Sequence, residues 1–165
     1  MPHPCPEKSG PGQESVWDYP RPPRAEAVSR RAVLLRGQTV VADTSDLVRV
    51  LETSHPPTYY LPRAAFGDFL HPGERTTVCE WKGVARYVDI VVPGLSPLRN
   101  AGWWYPVPEV HYPELRDRVA VYAGAFDQVT LDGELVTPQP GDFYGGWITK
   151  DIVGPFKGMP ESWGW

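Results

Sequence analysis

The segment Cys79–Tyr87 carries the most reactive side chains of the chain within a short span. A thiol, an indole, an ammonium and a phenol occur there, at Cys79, Trp81, Lys82 and Tyr87. A nucleophilic cysteine needs a neighbouring cation and usually a histidine base, because the thiolate is the reactive form. Lys82 could supply the cation, but the spacing matches no known catalytic or metal motif. Cys79 is therefore either a reactive thiol or an inert, buried one.

A second polar group lies in the segment Glu52–Tyr60, which contains one of the four histidines of the chain. Neighbouring side chains of a strand point to opposite faces, so Ser54 and His55 cannot form a catalytic pair with each other. We predict that this segment shapes the mouth of a pocket. If the protein is an enzyme, its weak catalytic candidates are Cys79, Lys82, Glu52 and His55.

Aromatic residues recur in several apolar segments of the chain and could line one shared cavity. Adjacent Trp103 and Trp104 must face opposite ways on a strand, so at least one of them lies at a pocket or a surface. Lys82 and Lys157 each lie between an aromatic residue and a glycine, where an ammonium could meet a carboxylate or a phosphate. The predicted ligand-binding residues are Tyr60, Trp81, Lys82, Tyr87, Trp103 and Trp104.

Several classes of function lack their sequence signals. The two cysteines form no Cys-x-x-Cys pair, and no phosphate-binding glycine loop is present, so we expect no metal and no cofactor. The net charge is −4 without a basic stripe, which disfavours a nucleic-acid partner. No apolar run is long enough to cross a membrane. We therefore expect a cytoplasmic protein whose partner is an unknown small molecule.

The elements that must position these residues are short strands. The chain has 20 prolines and 16 glycines, which suppress long helices. Ala32–Ala42 has the pattern of two strands around a glycine-bearing turn, and Asp132-Gly133 is a strong tight-turn signal. Arg63–Leu70 is the best candidate for a short helix. The sequence thus predicts a mainly β fold with one short helix.

An internal sequence repeat, which we call the echo, suggests how the strands are arranged. The pattern Trp17-x-Tyr19-Pro20-x-Pro22 recurs as Trp103-x-Tyr105-Pro106-x-Pro108, and a candidate hairpin follows each copy. We interpret this as a duplication, the alternative being a chance reuse of few residue types. The expected fold is a small barrel-like structure of two pseudo-symmetric β-hairpin units, Ala32–Ala42 and Arg118–Leu131.

The composition divides the chain into three parts. Residues 1–15 form a proline-rich leader predicted to be disordered, and residues 16–137 form the β domain. Residues 138–165 are rich in glycine and proline but also in aromatic rings, which a solvated linker would not need. We predict that this tail segment is a strap belonging to the same domain. It would cover either its own domain or a second copy of the chain in a homodimer.

Four motifs together resemble one protein family. They are Trp17-Asp18-Tyr19-Pro20-Arg21-Pro22-Pro23, Leu51–Pro62, Cys79–Tyr87 and Gly154-Pro155-Phe156-Lys157-Gly158. They resemble the domain of unknown function 427, which is sometimes filed under a nucleotidyltransferase name. The resemblance implies a compact, mainly β domain that often stands alone in bacterial proteins.

Two classes of function follow for such a domain. Nucleotidyl transfer normally uses carboxylates that hold metal ions, and the sequence has no Asp-x-Asp pair. We expect a small-molecule binding module with an aromatic-lined pocket. The alternative is an enzyme that transfers a group on a nucleotide-like substrate.

Overall fold

A computed structural model describes residues 4–141 and 143–165 of the chain, so Met1–His3 of the predicted leader and Asp142 of the predicted strap lie outside the described residues. The strands are β1 Glu14–Ser15, β2 Arg24–Val28, β3 Ala32–Arg36, β4 Thr39–Thr44, β5 Leu47–Leu51, β6 Thr58–Pro62, β7 Leu70–Cys79, β8 Gly83–Ile90, β9 Leu98–Trp104, β10 Arg118–Val121, β11 Gln128–Leu131, β12 Glu134–Leu135, β13 Thr137–Pro138, β14 Trp147–Ile148 and β15 Ile152–Val153. Short 3₁₀ helices span Val16–Asp18, Arg63–Phe69, Pro113–Leu115 and Ala123–Ala125.

Two sheets pack on each other and form the main core. The larger sheet has seven strands in the order β2-β5-β6-β10-β9-β8-β7, and the smaller has four in the order β12-β11-β3-β4. Apolar residues alternate along these strands, so each sheet has an inward face. Leu34 and Leu131 of the small sheet are fully buried in the same cluster as Leu61 and Val119 of the large sheet.

The prediction of a mainly β fold is confirmed, but the predicted barrel-like arrangement of the strands is wrong. The seven-stranded and the four-stranded sheet are both open, and the seven-stranded sheet ends in the edge strands β2 and β7. The expected helix at Arg63–Leu70 is a 3₁₀ helix over Arg63–Phe69 that is interrupted at Gly67, where φ is 53°. The glycine permits this left-handed backbone and breaks the regular turn.

The structure does not confirm the two pseudo-symmetric hairpin units. The first segment does form the hairpin β3–β4, and Asp132-Gly133 joins β11 to β12 with φ values of 51° and 80°. The second segment, Arg118–Leu131, is not a hairpin, because β10 lies in the large sheet and β11 in the small one. The 3₁₀ helix Ala123–Ala125 carries the chain between the sheets.

The tail segment, residues 138–165, packs along the rest of the chain. Strand β15 pairs in parallel with β1, so Glu14 and Ser15 of the predicted leader are joined to the tail. Trp147 is 1% exposed, and its ring stacks on Tyr59 at 5.1 Å between centroids. Within the described residues, no helix is long and apolar enough to cross a membrane.

Candidate functional site

The strand register aligns three of the predicted aromatic residues on one face of the large sheet. Tyr60 on β6 lies opposite Ala120 on β10, and Ala120 lies opposite Trp103 on β9. Trp103 in turn lies opposite Tyr87 on β8. We call Tyr60, Trp103 and Tyr87 the aromatic row. The row faces away from the main core, and Ala120 lies between Tyr60 and Trp103 in the register.

The turn between β7 and β8 forms one wall above the aromatic row. Gly83 has a φ of 112°, and a β-carbon there would approach the Val107 carbonyl oxygen to 3.2 Å. The Lys82 carbonyl accepts a hydrogen bond of 2.9 Å from the backbone N–H of Glu109. These contacts fix the turn so that Cys79, Trp81 and Lys82 line a cavity over the row.

The tail segment forms the opposite wall. Gly145 lies directly against the Trp103 indole, so a β-carbon at this position would overlap the ring. Lys157 donates a hydrogen bond of 3.0 Å to the Trp165 carbonyl oxygen, and its ammonium lies 5.6 Å from the Tyr144 ring centroid. The rings of Trp165 and Trp17 meet edge-on at 5.3 Å. The tail therefore encloses a cavity that the sheet alone would leave open.

The cavity has a volume of about 390 Å³. It is lined by Glu52, His55, Tyr60, Cys79, Trp81, Lys82, Tyr87 and Trp103, together with Arg21, Tyr105, Tyr122, Gln139, Phe143, Tyr144, Lys157 and Trp165 among others. All predicted site residues except Trp104 are thus brought to one place. Trp104 lies on the other face of β9, where the Arg63 guanidinium carbon is 3.9 Å from its ring centroid.

His55 is held in one tautomer by Gln139. The Gln139 amide oxygen accepts from the Gly146 N–H at 2.9 Å, and the amide nitrogen donates to the Lys157 carbonyl at 2.8 Å. That nitrogen also lies 3.1 Å from His55 Nδ1. Because an amide nitrogen only donates, Nδ1 must accept and the ring proton must be on Nε2.

His55 is neutral in this setting. The residue is 8% exposed, and burial lowers the pKa of His55 to about 3 from the ordinary 6.5. The positive charges of Lys157, Lys82 and Arg21 lower this pKa in the same direction. The ring can therefore donate a hydrogen bond through Nε2–H, but it has no free nitrogen with which to accept a proton.

Charged groups of the cavity are unequally paired. Glu52 lies 3.7 Å from the Arg21 guanidinium and 3.8 Å from His55 Nε2. Burial by itself lowers the pKa of Lys82. Tyr60, Cys79 and Glu52 act in the opposite direction, and their combined effect leaves this pKa raised. Burial also raises the pKa of Tyr60 and that of Tyr105, so both hydroxyls keep their protons. Among the described residues, no group of three His, Cys, Asp or Glu side chains is placed to hold a metal ion.

Residues 24–132 match the model of a family described as a domain of unknown function, DUF427, whose model name also refers to nucleotidyl transfer. The chain belongs to this family. The match confirms the resemblance and includes the aromatic row, Cys79 and Lys82, but it ends before the tail wall of the cavity. A comparison with curated proteins gives no match.

Sequence reasoning missed several cavity residues. Gln139 carries no local signal, because its importance comes from the His55 ring, which lies 84 residues away, and from two backbone partners in the tail. Arg21 lies in the Trp17–Pro23 motif, but only folding places it beside Glu52. Tyr122 follows β10 and its ring lies 4.9 Å from that of Trp103, a contact that depends on how β10 pairs with β9.

Proposed function

We propose that this DUF427 member is a binding module for a small molecule with an apolar, planar part. The observation that carries the proposal is the aromatic row, enclosed by the β7–β8 turn and the tail into a cavity of about 390 Å³. Cavities of roughly 300–1,000 Å³ lined by rings and a few polar groups are typical of small-molecule sites. A volume near the lower limit favours a ligand with one or two rings.

The polar groups around the rings also fit a binding role. The Tyr87 hydroxyl lies 3.5 Å from both the Thr77 and the Tyr122 hydroxyls, at the limit of a hydrogen bond. The Nε2–H of His55 remains a donor, because its other nitrogen is occupied by Gln139. Such groups orient a ligand in an otherwise apolar site.

A simple binding experiment tests the proposal. Phenylethanol, a neutral one-ring probe, should shift the indole N–H resonances of Trp81 and Trp103 in a titration followed by nuclear magnetic resonance. Ala85→Leu should weaken binding, because Ala85 lines the cavity and is 2% exposed. Ala27→Leu is the matched control, since Ala27 is exposed on β2 of the same sheet. Saturable binding that both variants retain would rule out the cavity as the site.

The alternative, an enzyme that transfers a group on a nucleotide-like substrate, has one observation in its favour. Cys79, Lys82, Glu52 and His55 all line the same cavity. However, a cysteine nucleophile usually needs a histidine base, and Nδ1 of His55, the one histidine of the cavity lining, accepts a hydrogen bond from Gln139. The binding role therefore requires fewer changes in the observed geometry.

The two cysteines allow a direct test of the alternative. Cys5 is exposed, whereas Cys79 is only partly accessible, and both are free thiols. If Cys79 is not activated, iodoacetamide at pH 7 should label Cys5 at least as fast as Cys79. The measurement is mass spectrometry of the two peptides over time. Labelling of Cys79 that is tenfold faster than that of Cys5 would favour the enzyme.

A further inference from the structure

Lys82 is a cation without a matching anion. Its side chain lines the cavity and is partly buried. Among the described residues, no carboxylate oxygen lies within 4.0 Å of its ammonium, since the nearby Glu52 pairs with Arg21 instead. Taking a charge out of water is costly unless a partner compensates it. The site is thus built with a positive charge that a ligand can satisfy.

A second lysine repeats the same local pattern on the opposite wall. Lys157, like Lys82, follows an aromatic residue and precedes a glycine with a left-handed backbone, φ being 108° at Gly158 and 112° at Gly83. The two lysines reach one cavity from segments that are far apart in the chain. Lys157 is occupied by the main-chain oxygen of Trp165, so Lys82 is the cation that remains for a ligand.

The remaining charges leave this part of the cavity positive. Arg21, Lys82 and Lys157 all act on His55, and their combined field opposes its protonation. Against them, the lining offers Glu52, which is paired with Arg21, and Glu80, whose side chain is exposed. A ligand carboxylate would meet an excess of positive charge and a neutral Nε2–H donor.

We propose that the occupant of the cavity is a small anion, with a planar apolar body against the aromatic row and one anionic oxygen group on the Lys82 ammonium. This inference rests on the binding function proposed above and adds the charge class of the ligand. An ammonium binds a carboxylate or a phosphate as a point charge, so the shared chemistry is an anionic oxygen group. Charge-assisted hydrogen bonds of this kind are the stronger ones in proteins.

Four one-ring probes of similar size separate the charge from the ring. They are phenylacetate, phenyl phosphate, neutral phenylethanol and cationic phenethylamine. The anion should bind about tenfold or more tightly than the cation, because a hydrogen bond to a charged group contributes about that factor. Comparing phenylacetate with phenyl phosphate shows whether the site prefers a carboxylate or a phosphate.

Variants at Lys82 locate the source of the preference. Lys82→Met should remove the preference for anions, measured within the variant as the ratio of phenylacetate to phenethylamine affinity, whereas Lys82→Arg should keep part of this preference. Lys150→Met is the control, because Lys150 is exposed on a turn outside the cavity lining. If Lys82→Met does not fold, the comparison of anion with cation in the unaltered protein still decides whether the site prefers anions, and Lys82→Arg tests the role of Lys82.

The outcomes distinguish this inference from the binding function. Equal binding of all four probes would overturn the anion preference and leave the aromatic cavity in place. A preference that survives in Lys82→Met would overturn the role of Lys82. Failure of every aromatic probe to bind would overturn both proposals together.

Discussion

His55 shows how a buried ring couples the site to the stability of the fold. Its Nδ1 accepts from Gln139, which also holds the backbone of the tail at Gly146 and Lys157. A proton on Nδ1 would break this contact and place a charge beside three cations. The same interactions that orient the ring therefore keep it neutral.

This arrangement makes the stability of the protein dependent on pH. The pKa of His55 is lowered to about 3 in the folded chain from 6.5. Below pH 6.5 the unfolded chain takes up a proton that the folded chain does not, so the free energy of unfolding falls as the pH is lowered. The expected loss between pH 7 and pH 5 is about 2 kcal/mol.

Urea unfolding of the unaltered protein and of His55→Gln at several pH values measures this effect. A glutamine can still accept the hydrogen bond from Gln139 but does not titrate, so the pH dependence should be smaller in the variant. Between pH 7 and pH 8 the two proteins should show nearly the same slope, since His55 is neutral in the folded chain and mostly neutral in the unfolded chain over this range. An equal loss at pH 5 in both proteins would contradict the assignment.

At the level of strands and turns, the sequence predicted local features well and pairing poorly. The β3–β4 hairpin and the Asp132-Gly133 turn are confirmed, because both depend on nearby residues. The aromatic row depends on β6, β10, β9 and β8 lying side by side in one register, and no local pattern specifies that order. The echo between Trp17 and Trp103 did not predict the arrangement of the strands, because that arrangement also depends on the order in which they pair.

The two copies of the echo take different conformations. Trp17 lies in a 3₁₀ helix against the tail, where its indole nitrogen donates to the Pro155 carbonyl at 2.9 Å. Trp103 lies in the middle of a sheet. Similar residue types thus serve two unrelated contacts, which explains why the site residues could be predicted as candidates while the barrel could not.

The tail depends on glycine where it meets the sheet. Gly145 has no room for a side chain, because a β-carbon would overlap the Trp103 ring. Gly145→Ala should therefore push the tail or the indole aside and destabilise the protein by about 1–3 kcal/mol, the usual range for overpacking. Phenylethanol binding should weaken at the same time.

Thermal unfolding and the probe titration measure both effects. Gly124→Ala is the control, because a β-carbon there would meet only Pro138, at an ordinary 3.6 Å. It should change neither stability nor binding by much. If Gly145→Ala behaves like Gly124→Ala, the tail does not press on Trp103 in solution.

At the scale of the whole molecule, the tail already covers its own domain with several of its rings. Trp147 is buried in the main core, and Phe156 packs with Trp17 in a smaller cluster. Among the described residues of the tail, three large apolar side chains are exposed to solvent: Trp163 is 85% exposed, Phe143, at the cavity, is 50% exposed and Met159 is 42% exposed. These are the large apolar side chains of the described tail that a second copy could contact.

We propose that Trp163 anchors a homodimer. Tryptophan is among the residues that most often carry the binding energy of interfaces, and the structure gives this ring no partner among the described residues. Trp163→Ser should convert a dimer into a monomer, as measured by light scattering of the purified protein over a range of concentrations. The cavity should still bind phenylethanol, because Trp163 does not line it.

Val107→Ser is the control: Val107 is 79% exposed and lies outside the tail, so its loss should leave the mass unchanged. The prediction is contradicted if the unaltered protein is monomeric at high micromolar concentration, or if the Trp163→Ser variant remains dimeric. Either result would show that Trp163 does not anchor a dimer interface.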